Sequence, residues 1–183
     1  AVGLSKVESA AASVARINPG IRVEPHAERL TAANATRLFR DYDLIADGSD
    51  NFATRYLAND AAFLAGKPLV SGSLLRFEGQ LATFRGGVKG HEGEPCYRCL
   101  FPSEPPPGMI PRCEEAGILG AVAGVIGTLQ ATEVIKELLG LGSSLSGHLL
   151  IYDALGPTFR KMKAARDPGC ALCGTDPTIR EIA

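Results

Sequence analysis

Asp41-Tyr-Asp-Leu-Ile-Ala-Asp-Gly-Ser-Asp-Asn-Phe-Ala-Thr-Arg-Tyr-Leu-Ala-Asn-Asp60 is the stretch that decides the fold of this chain. Leu44, Ile45 and Ala46 form a short apolar run between polar residues, the pattern of a buried parallel strand. Gly48 and Ser49 break it, and Ser49 or Asp50 is placed to cap a helix over Asn51–Ala65. In that helix Ala53, Leu57, Ala61 and Leu64 recur at helical spacing and form the sheet-facing side. Asn51, Arg55 and Asn59 are four residues apart each time and share another side. A polar cluster therefore stands just past the carboxyl end of a strand, where open α/β sheets bind ligands. Asp50 has two readings there. It can hold a magnesium ion that bridges phosphates, or it can cap the helix.

Upstream, Leu4, Val7, Ala11, Val14 and Ile17 step by three and four, so the chain opens inside an amphipathic helix. Asn18-Pro19-Gly20 ends that helix. Ile21–Glu24 alternates as a short strand, and Thr31–Arg40 reads as a second helix. Downstream, Pro68–Gly72 is a further buried strand and Leu75–Phe84 alternates like an antiparallel hairpin arm. Gly117–Leu139 is a long helix whose glycines at 117, 120, 124 and 127 allow close approach of another backbone, either within the chain or at a dimer seam. His148–Tyr152 and the neighbourhood of Phe159 and Met162 supply two more strands. The strand–helix alternation predicts an α/β fold with a mixed, mostly parallel sheet and crossover helices.

Composition narrows the function classes. The 183 residues are 45% hydrophobic and 21% charged, with a formal net charge of −1, as expected for a globular domain. No basic stripe stands out and there is no Trp, which argues against a nucleic-acid partner. No signal peptide is visible at Ala1-Val-Gly-Leu-Ser-Lys6. The most apolar stretch, Gly117–Ile126, is short and soon followed by Gln130, Glu133 and Lys136, which argues against a membrane span. A cytoplasmic protein is expected.

Four of the five cysteines form two Cys-x-x-Cys pairs, Cys96/Cys99 and Cys170/Cys173. Each spacing lets two thiolates reach one ion from a tight turn, and four thiolates complete a closed structural zinc site. Such a site staples the end of the chain to its middle. A redox-active pair or unrelated core thiols are the competing readings, and two matching pairs favour zinc. Cys113 is unpaired. It follows the proline-rich segment Phe101–Pro111 and precedes a helix, with Arg112 beside it. Those neighbours favour a nucleophilic thiolate, while Glu114 and Glu115 oppose it and leave an incidental thiol as the alternative.

Taken together the motifs form a recognisable series: Ala1–Ala10, Ile17-Asn-Pro19, Asp47-Gly-Ser-Asp-Asn-Phe-Ala-Thr-Arg55, Glu78-Gly-Gln80, Pro95-Cys-Tyr-Arg-Cys-Leu100, Cys113-Glu-Glu-Ala-Gly117, Gly127-Thr-Leu-Gln-Ala131 and Tyr152-Asp-Ala154. The chain resembles the MoeB/ThiF/HesA family, bacterial relatives of ubiquitin-activating enzymes, over essentially its whole length. The resemblance implies a Rossmann-like sheet and an adenylyltransferase. Its substrate is a small β-grasp sulfur-carrier protein ending in Gly-Gly, whose terminal carboxylate attacks the α-phosphate of ATP. Sulfur transfer for molybdopterin, thiamin, cysteine or tRNA thiolation follows. By the same resemblance Lys6 contacts the ATP phosphates, although alone it reads as a solvated helix residue. Asp50, with Asn51 beside it, serves phosphates and Mg²⁺. Arg55 orients Asp50 or the substrate carboxylate, and Cys96, Cys99, Cys170 and Cys173 bind Zn²⁺. Cys113 matches a cysteine that in some members is catalytic, bonding to the carrier tail or taking part in sulfur transfer. A homodimer is implied, and a sulfurtransferase is a further partner.

One departure stands out. The family's opening strand, its Gly-x-Gly-x-x-Gly loop and the acidic residue for the ribose have no counterpart here. The glycines at 117–127 lie in a helical pattern and do not follow a strand, so they are not that loop. Residues 1–174 are therefore expected to be the C-terminal portion of an activating domain that lacks its nucleotide-binding start. Residues 175–183 are a tail or a linker toward a sulfurtransferase domain. The intact protein is expected to be an adenylyltransferase and this chain alone inactive or nearly so, needing an upstream polypeptide or a partner chain on its open edge. A zinc-stapled fragment that docks the carrier without ATP chemistry is the alternative, and a Cys-x-x-Cys redox protein a third.

Overall fold

The computed structural model describes residues 2–106, 108–110 and 113–182, and the side chains of all of these except Cys113 and Glu114. Two compact units are present, Ala1–Leu30 and Thr31–Ala183. In the first, α1 spans Lys6–Ile17 and begins with a capping box. The Ser5 hydroxyl accepts from the Glu8 N–H at 3.2 Å, and the Glu8 carboxylate accepts from the Ser5 N–H at 3.4 Å. The helix thus starts after Leu4, not before it. Val7, Ala11 and Val14 are half-buried, and Leu4 and Ile17 are exposed. Ile21–Glu24, expected as a strand, has no ladder partner among the described residues and is irregular chain, because a strand exists only as part of a ladder.

The second unit holds a five-stranded sheet in the order β1-β2-β3-β4-β5, formed by Ile45–Asp47, Leu69–Leu75, Glu78–Phe84, His148–Asp153 and Thr158–Lys163. Its helices are α2 (Ala32–Arg40), α3 (Phe52–Leu64), the short α4 (Tyr97–Leu100) and α5 (Cys113–Ala116), and the long α6 (Gly120–Leu139). The α/β class and the mixed sheet are as expected, but the expected parallel majority is not. Only β1 and β2 run parallel; the other three pairings are antiparallel. The length of the connections accounts for the β1–β2, β2–β3 and β4–β5 directions. α3 is the crossover that a parallel pair requires. Two residues join β2 to β3, and Arg76 there adopts φ 54°, the left-handed conformation of a tight hairpin. Its N–H and carbonyl bond Gly117 O and Leu119 N, at 3.2 and 3.0 Å.

The sheet's alternation separates two sides. Val70, Gly72, Gly79 and Leu81 meet α6, with Leu129, Val134 and Leu145 completing that core. Ser71, Ser73 and Gln80 line a cleft on the opposite side, as period-two alternation requires. The glycines that permit close packing are in the sheet, not in the helix. A methyl on Gly79 would stand 2.3 Å from Ile126 Cγ1, and one on Gly72 would stand 3.3 Å from Ile126 Cγ2. Gly120, Gly124 and Gly127 have nothing within 4 Å of the same position, and Gly117 lies outside the helix with φ 71°. The intramolecular reading of the helical glycines is therefore corrected. α6 ends at Gly140, whose φ of 62° is the left-handed cap that glycine tolerates best. Among the described residues no helix is long and apolar enough to cross a membrane.

Gly79→Ala is expected to cost about 1–3 kcal/mol through overlap with Ile126. Urea unfolding of the double variant Gly79→Ala/Ile126→Ala is expected to show a smaller loss than the sum of the two single losses.

Candidate functional site

Two features lie at different points along α3, one beside its last turn and one at its head. The first is the cysteine cluster. Cys96 and Cys99 flank the first turn of α4, where the Cys99 N–H donates to the Cys96 carbonyl at 3.0 Å. Cys170 and Cys173 lie on a turn after β5, closed by the Gly174 N–H donating to the Cys170 carbonyl at 2.9 Å. All four Sγ atoms fall within 4.8 Å of one another. Cys96–Cys99 is 4.0 Å, Cys96–Cys170 3.6 Å and Cys99–Cys173 3.2 Å. Sulfurs bound at about 2.3 Å to one tetrahedral ion stand about 3.8 Å apart, so the cluster has the dimensions of a four-thiolate site and can hold a metal ion. Leu172, Phe63, Leu64 and Ile179 enclose it, and Ile179 is brought back by bonding its N–H to the Ala171 carbonyl at 2.9 Å.

Cys96, Cys99 and Cys173 do not ionise alike. Hydrogen bonds from Cys173 and Cys96 hold the Cys99 thiol down to about 2, despite burial. The Cys96 thiol is pushed far up by hydrogen bonding to Cys173 and Cys99 and by burial. At Cys173 the hydrogen bond with Cys96 lowers the value, but the bond to Cys99 and burial outweigh it, raising it to about 12. An anion is thus favoured at Cys99 and opposed at Cys96 and Cys173. A divalent cation supplies the charge that lets all four be thiolates.

The second feature is a cleft of about 980 Å³ at the carboxyl end of β1. Asp50, Asn51 and Arg55 line it from the head of α3, Ser71, Ser73 and Gln80 from the sheet, and Phe101–Pro106 from the proline-rich segment. Asn51, rather than Ser49 or Asp50, caps the helix: its side-chain oxygen accepts from the Thr54 N–H at 2.9 Å, the third residue on. Asp50 is thereby free of the capping role and exposed, with Asn51 Nδ2 3.4 Å from its carboxylate. Arg55 donates twice to the Ser49 carbonyl, at 3.1 and 2.9 Å. That grip shapes the loop after β1. The buried Asp47 carboxylate accepts from the Ser49 N–H at 2.9 Å and from the Ser71 hydroxyl at 3.2 Å.

The ThiF family model matches residues 1–172. The chain belongs to the ThiF family. It is 51% identical over 181 residues to the sulfur carrier protein adenylyltransferase of Thermus thermophilus, covering 99% of this chain and 67% of that protein. It is 51% identical over 181 residues to the adenylyltransferase and sulfurtransferase MOCS3 of Sus scrofa, covering 98% of this chain and 39% of that one. The chain thus spans 67% of the first relative's length and 39% of the second's. Among solved structures, E. coli MccB with ATP aligns at a TM-score of 0.72 with 19% identity, over 93% of this chain and 52% of MccB. At that identity the likeness concerns the fold.

Placed on this ThiF-family chain, the residues singled out in the sequence separate into groups. The four paired cysteines converge. Asp50, Asn51 and Arg55 share the cleft. Lys6 is the exposed first residue of α1, in the unit Ala1–Leu30. The Cys113 side chain lies outside the described residues. Asn59 leaves the face expected for it: eight residues beyond Asn51, it is rotated by about 80° and buried, and its side-chain oxygen accepts from the Tyr97 N–H at 2.8 Å.

Three further contacts escaped the sequence. Asp60 binds Arg98 through two bonds of 2.8 and 2.7 Å. The Tyr56 hydroxyl donates to the Phe101 carbonyl at 2.9 Å, and Gln130 Nε2 donates to the carbonyls of Asp47 and Val70 at 2.8 and 2.9 Å. Their signal was present as polar residues on helix faces that pack inward, but their partners lie 38 to 83 positions away.

Gly174→Ala is expected to open the second cysteine turn, since a methyl there would stand 2.3 Å from the Cys170 carbonyl oxygen and 2.6 Å from that of Pro168. Thermal unfolding with and without added zinc is expected to show a smaller metal-induced rise in Tm than for the wild type, whereas Gly93→Ala, with nothing within 4 Å, is expected to match it.

Proposed function

We propose that this chain belongs to an enzyme that adenylylates the C-terminal Gly-Gly carboxylate of a ubiquitin-like sulfur-carrier protein. The observation that carries this reading is the 51% identity, over 99% of the chain, to a sulfur carrier protein adenylyltransferase. The cleft at the carboxyl end of β1, with Asp50 and Asn51 at its rim, agrees with it. The carboxylate oxygen of the carrier forms a bond to the α-phosphorus of ATP, the bond from that phosphorus to the bridging oxygen of the β-phosphate breaks, and pyrophosphate leaves. Lys6 neutralises charge that builds on the phosphates. Asp50 is the carboxylate to hold Mg²⁺, which supplies charge neutralisation between phosphate groups. Arg55 keeps the loop at 48–51 in place through Ser49. The proline-rich segment forms the wall past which the carrier tail runs, toward Cys113.

Cys96, Cys99, Cys170 and Cys173 would hold Zn²⁺ as a closed structural site, since a tetrahedral four-thiolate set is the one zinc prefers. Residues 1–174 belong to the activating domain of that enzyme. A homodimer in the cytoplasm, with the exposed small-residue face of α6 as its seam, completes the picture. A sulfurtransferase then delivers sulfur for molybdopterin, thiamin, cysteine or tRNA thiolation.

Carrier-dependent ATP–pyrophosphate exchange in the full-length protein tests the reading. Asp50→Ala is expected to reduce exchange by about 100-fold or more while one zinc per chain is retained by elemental analysis. Exchange at the wild-type level in this variant overturns the role of Asp50. Carrier binding with no exchange in the wild type indicates docking without ATP chemistry.

A further inference from the structure

We propose that Tyr56, Asn59 and Asp60 are positioning residues through which a metal at the four cysteines sets the shape of the cleft. This rests on the reading of the cluster as a metal site and of the cleft as the place where the carrier tail reacts. The three residues stand at i, i+3 and i+4, one side of α3. Each takes hold of a different residue of the short turn that begins at Cys96. Asn59 holds the Tyr97 N–H, Asp60 holds the Arg98 guanidinium from two directions, and Tyr56 holds the Phe101 carbonyl. Tyr97 and Arg98 are the two residues between the first pair of cysteines, and Phe101 opens the proline-rich wall of the cleft.

These are not surface contacts. Asn59 is 2% exposed and Asp60 8%, and a buried charge pair is costly to break from one side. The guanidinium of Arg98 also lies 4.7 Å from the centre of the Tyr56 ring, and Tyr97 packs edge-on against Tyr56 at 5.2 Å and tilted on Phe101 at 4.8 Å. A further link runs back to the cleft, because Arg55, which grips the Ser49 carbonyl, lines it together with Tyr97. An ion that fixes Cys96 and Cys99 therefore fixes residues 97–101. Residues 97–101 in turn hold both the proline-rich wall and the helix that presents Asp50 and Asn51. Apolar packing alone could hold α4 against α3; directional polar bonds at three successive points also fix its rotation.

The test compares zinc-loaded full-length wild type with Tyr56→Phe and Asp60→Asn. Three readouts are taken: hydrogen–deuterium exchange of the segments 97–104 and 50–55, release of zinc to a chromophoric chelator, and KM and kcat for carrier-dependent pyrophosphate exchange. Asp60→Asn is expected to release zinc about 10-fold faster. Tyr56→Phe is expected to keep the wild-type release rate while residues 97–104 exchange about 5-fold faster and the KM for the carrier rises about 5-fold, with the KM for ATP unchanged. Stripping zinc from the wild type is expected to deprotect both segments.

Wild-type zinc release by Asp60→Asn, or unchanged exchange in both segments after zinc is stripped, overturns the proposal. Should Asp60→Asn fail to fold, Tyr56→Phe and the stripped wild type decide it. Hydrogen exchange and zinc release need no turnover. Absence of pyrophosphate exchange in the wild type therefore counts against the adenylylation reading, and those two readouts still decide the coupling.

Discussion

The seat of Ile126 over Gly79 sets how close α6 comes to the sheet, and much of the second unit depends on that distance. With no side chain at Gly79 or Gly72, the helix lies near enough for Gln130, one turn beyond Ile126, to reach two backbone carbonyls at once. One belongs to Asp47 at the end of β1, the other to Val70 in β2. A half-buried amide that bridges two strands aligns them in register and satisfies both acceptors. The end of β1 is then held from three directions: by Gln130 at its carbonyl, by the ladder to Ser71, and by the Asp47 carboxylate bonding Ser49 and Ser71. The loop that carries Asp50 is a consequence of these restraints.

α3 mediates between the two chemically distinct parts of the unit. Its head opens on the cleft, its flank grips the turn between the first two cysteines, and its last turn contributes Phe63 and Leu64 to the wall around the thiols. The aromatic group of Tyr56, Phe84, Tyr97 and Phe101 fills the angle between them, with ring pairs in edge and tilted arrangements that suit the quadrupoles of aromatic rings. A helix of 13 residues thus ties a strand terminus, a proline-rich segment and the closing turn of the chain into one piece.

Local signals were the ones legible in the sequence. The break at Gly48-Ser49, the apolar run before it and the repeat of Ala53, Leu57, Ala61 and Leu64 place β1 and α3 within a residue or two, because each depends on neighbours a few positions away. The paired cysteine spacings point to a common ion for the same reason, since each pair is a complete local turn. Strand direction was less legible, because apolar alternation is alike in parallel and antiparallel partners; the short links at Arg76-Phe77 and Ala154–Pro157 settle two pairings, and the long segment 85–147 between β3 and β4 settles nothing. The Ile21–Glu24 alternation misled because alternation says nothing about a partner. Gly79 was quoted only as part of a motif, and Gln130 only in a motif and as a polar break after an apolar stretch. Their roles exist between elements brought together by folding, and no window of sequence contains both sides of the contact.

Were the four thiols to hold an ion, their convergence would also link the amount of folded protein to the supply of metal. Cys96 and Cys170 are 74 positions apart, so the unfolded chain offers at most isolated pairs, and the four-sulfur site exists only in the native state. Ligand that binds the native state alone adds stability by mass action, about 2.7 kcal/mol when its free concentration is a hundred times its dissociation constant. For a domain whose whole margin is about 5–15 kcal/mol, that contribution is large. Metal scarcity would then be felt first as a fall in the population of intact molecules, and so as faster turnover by cellular proteases, before any single step of the chemistry changed.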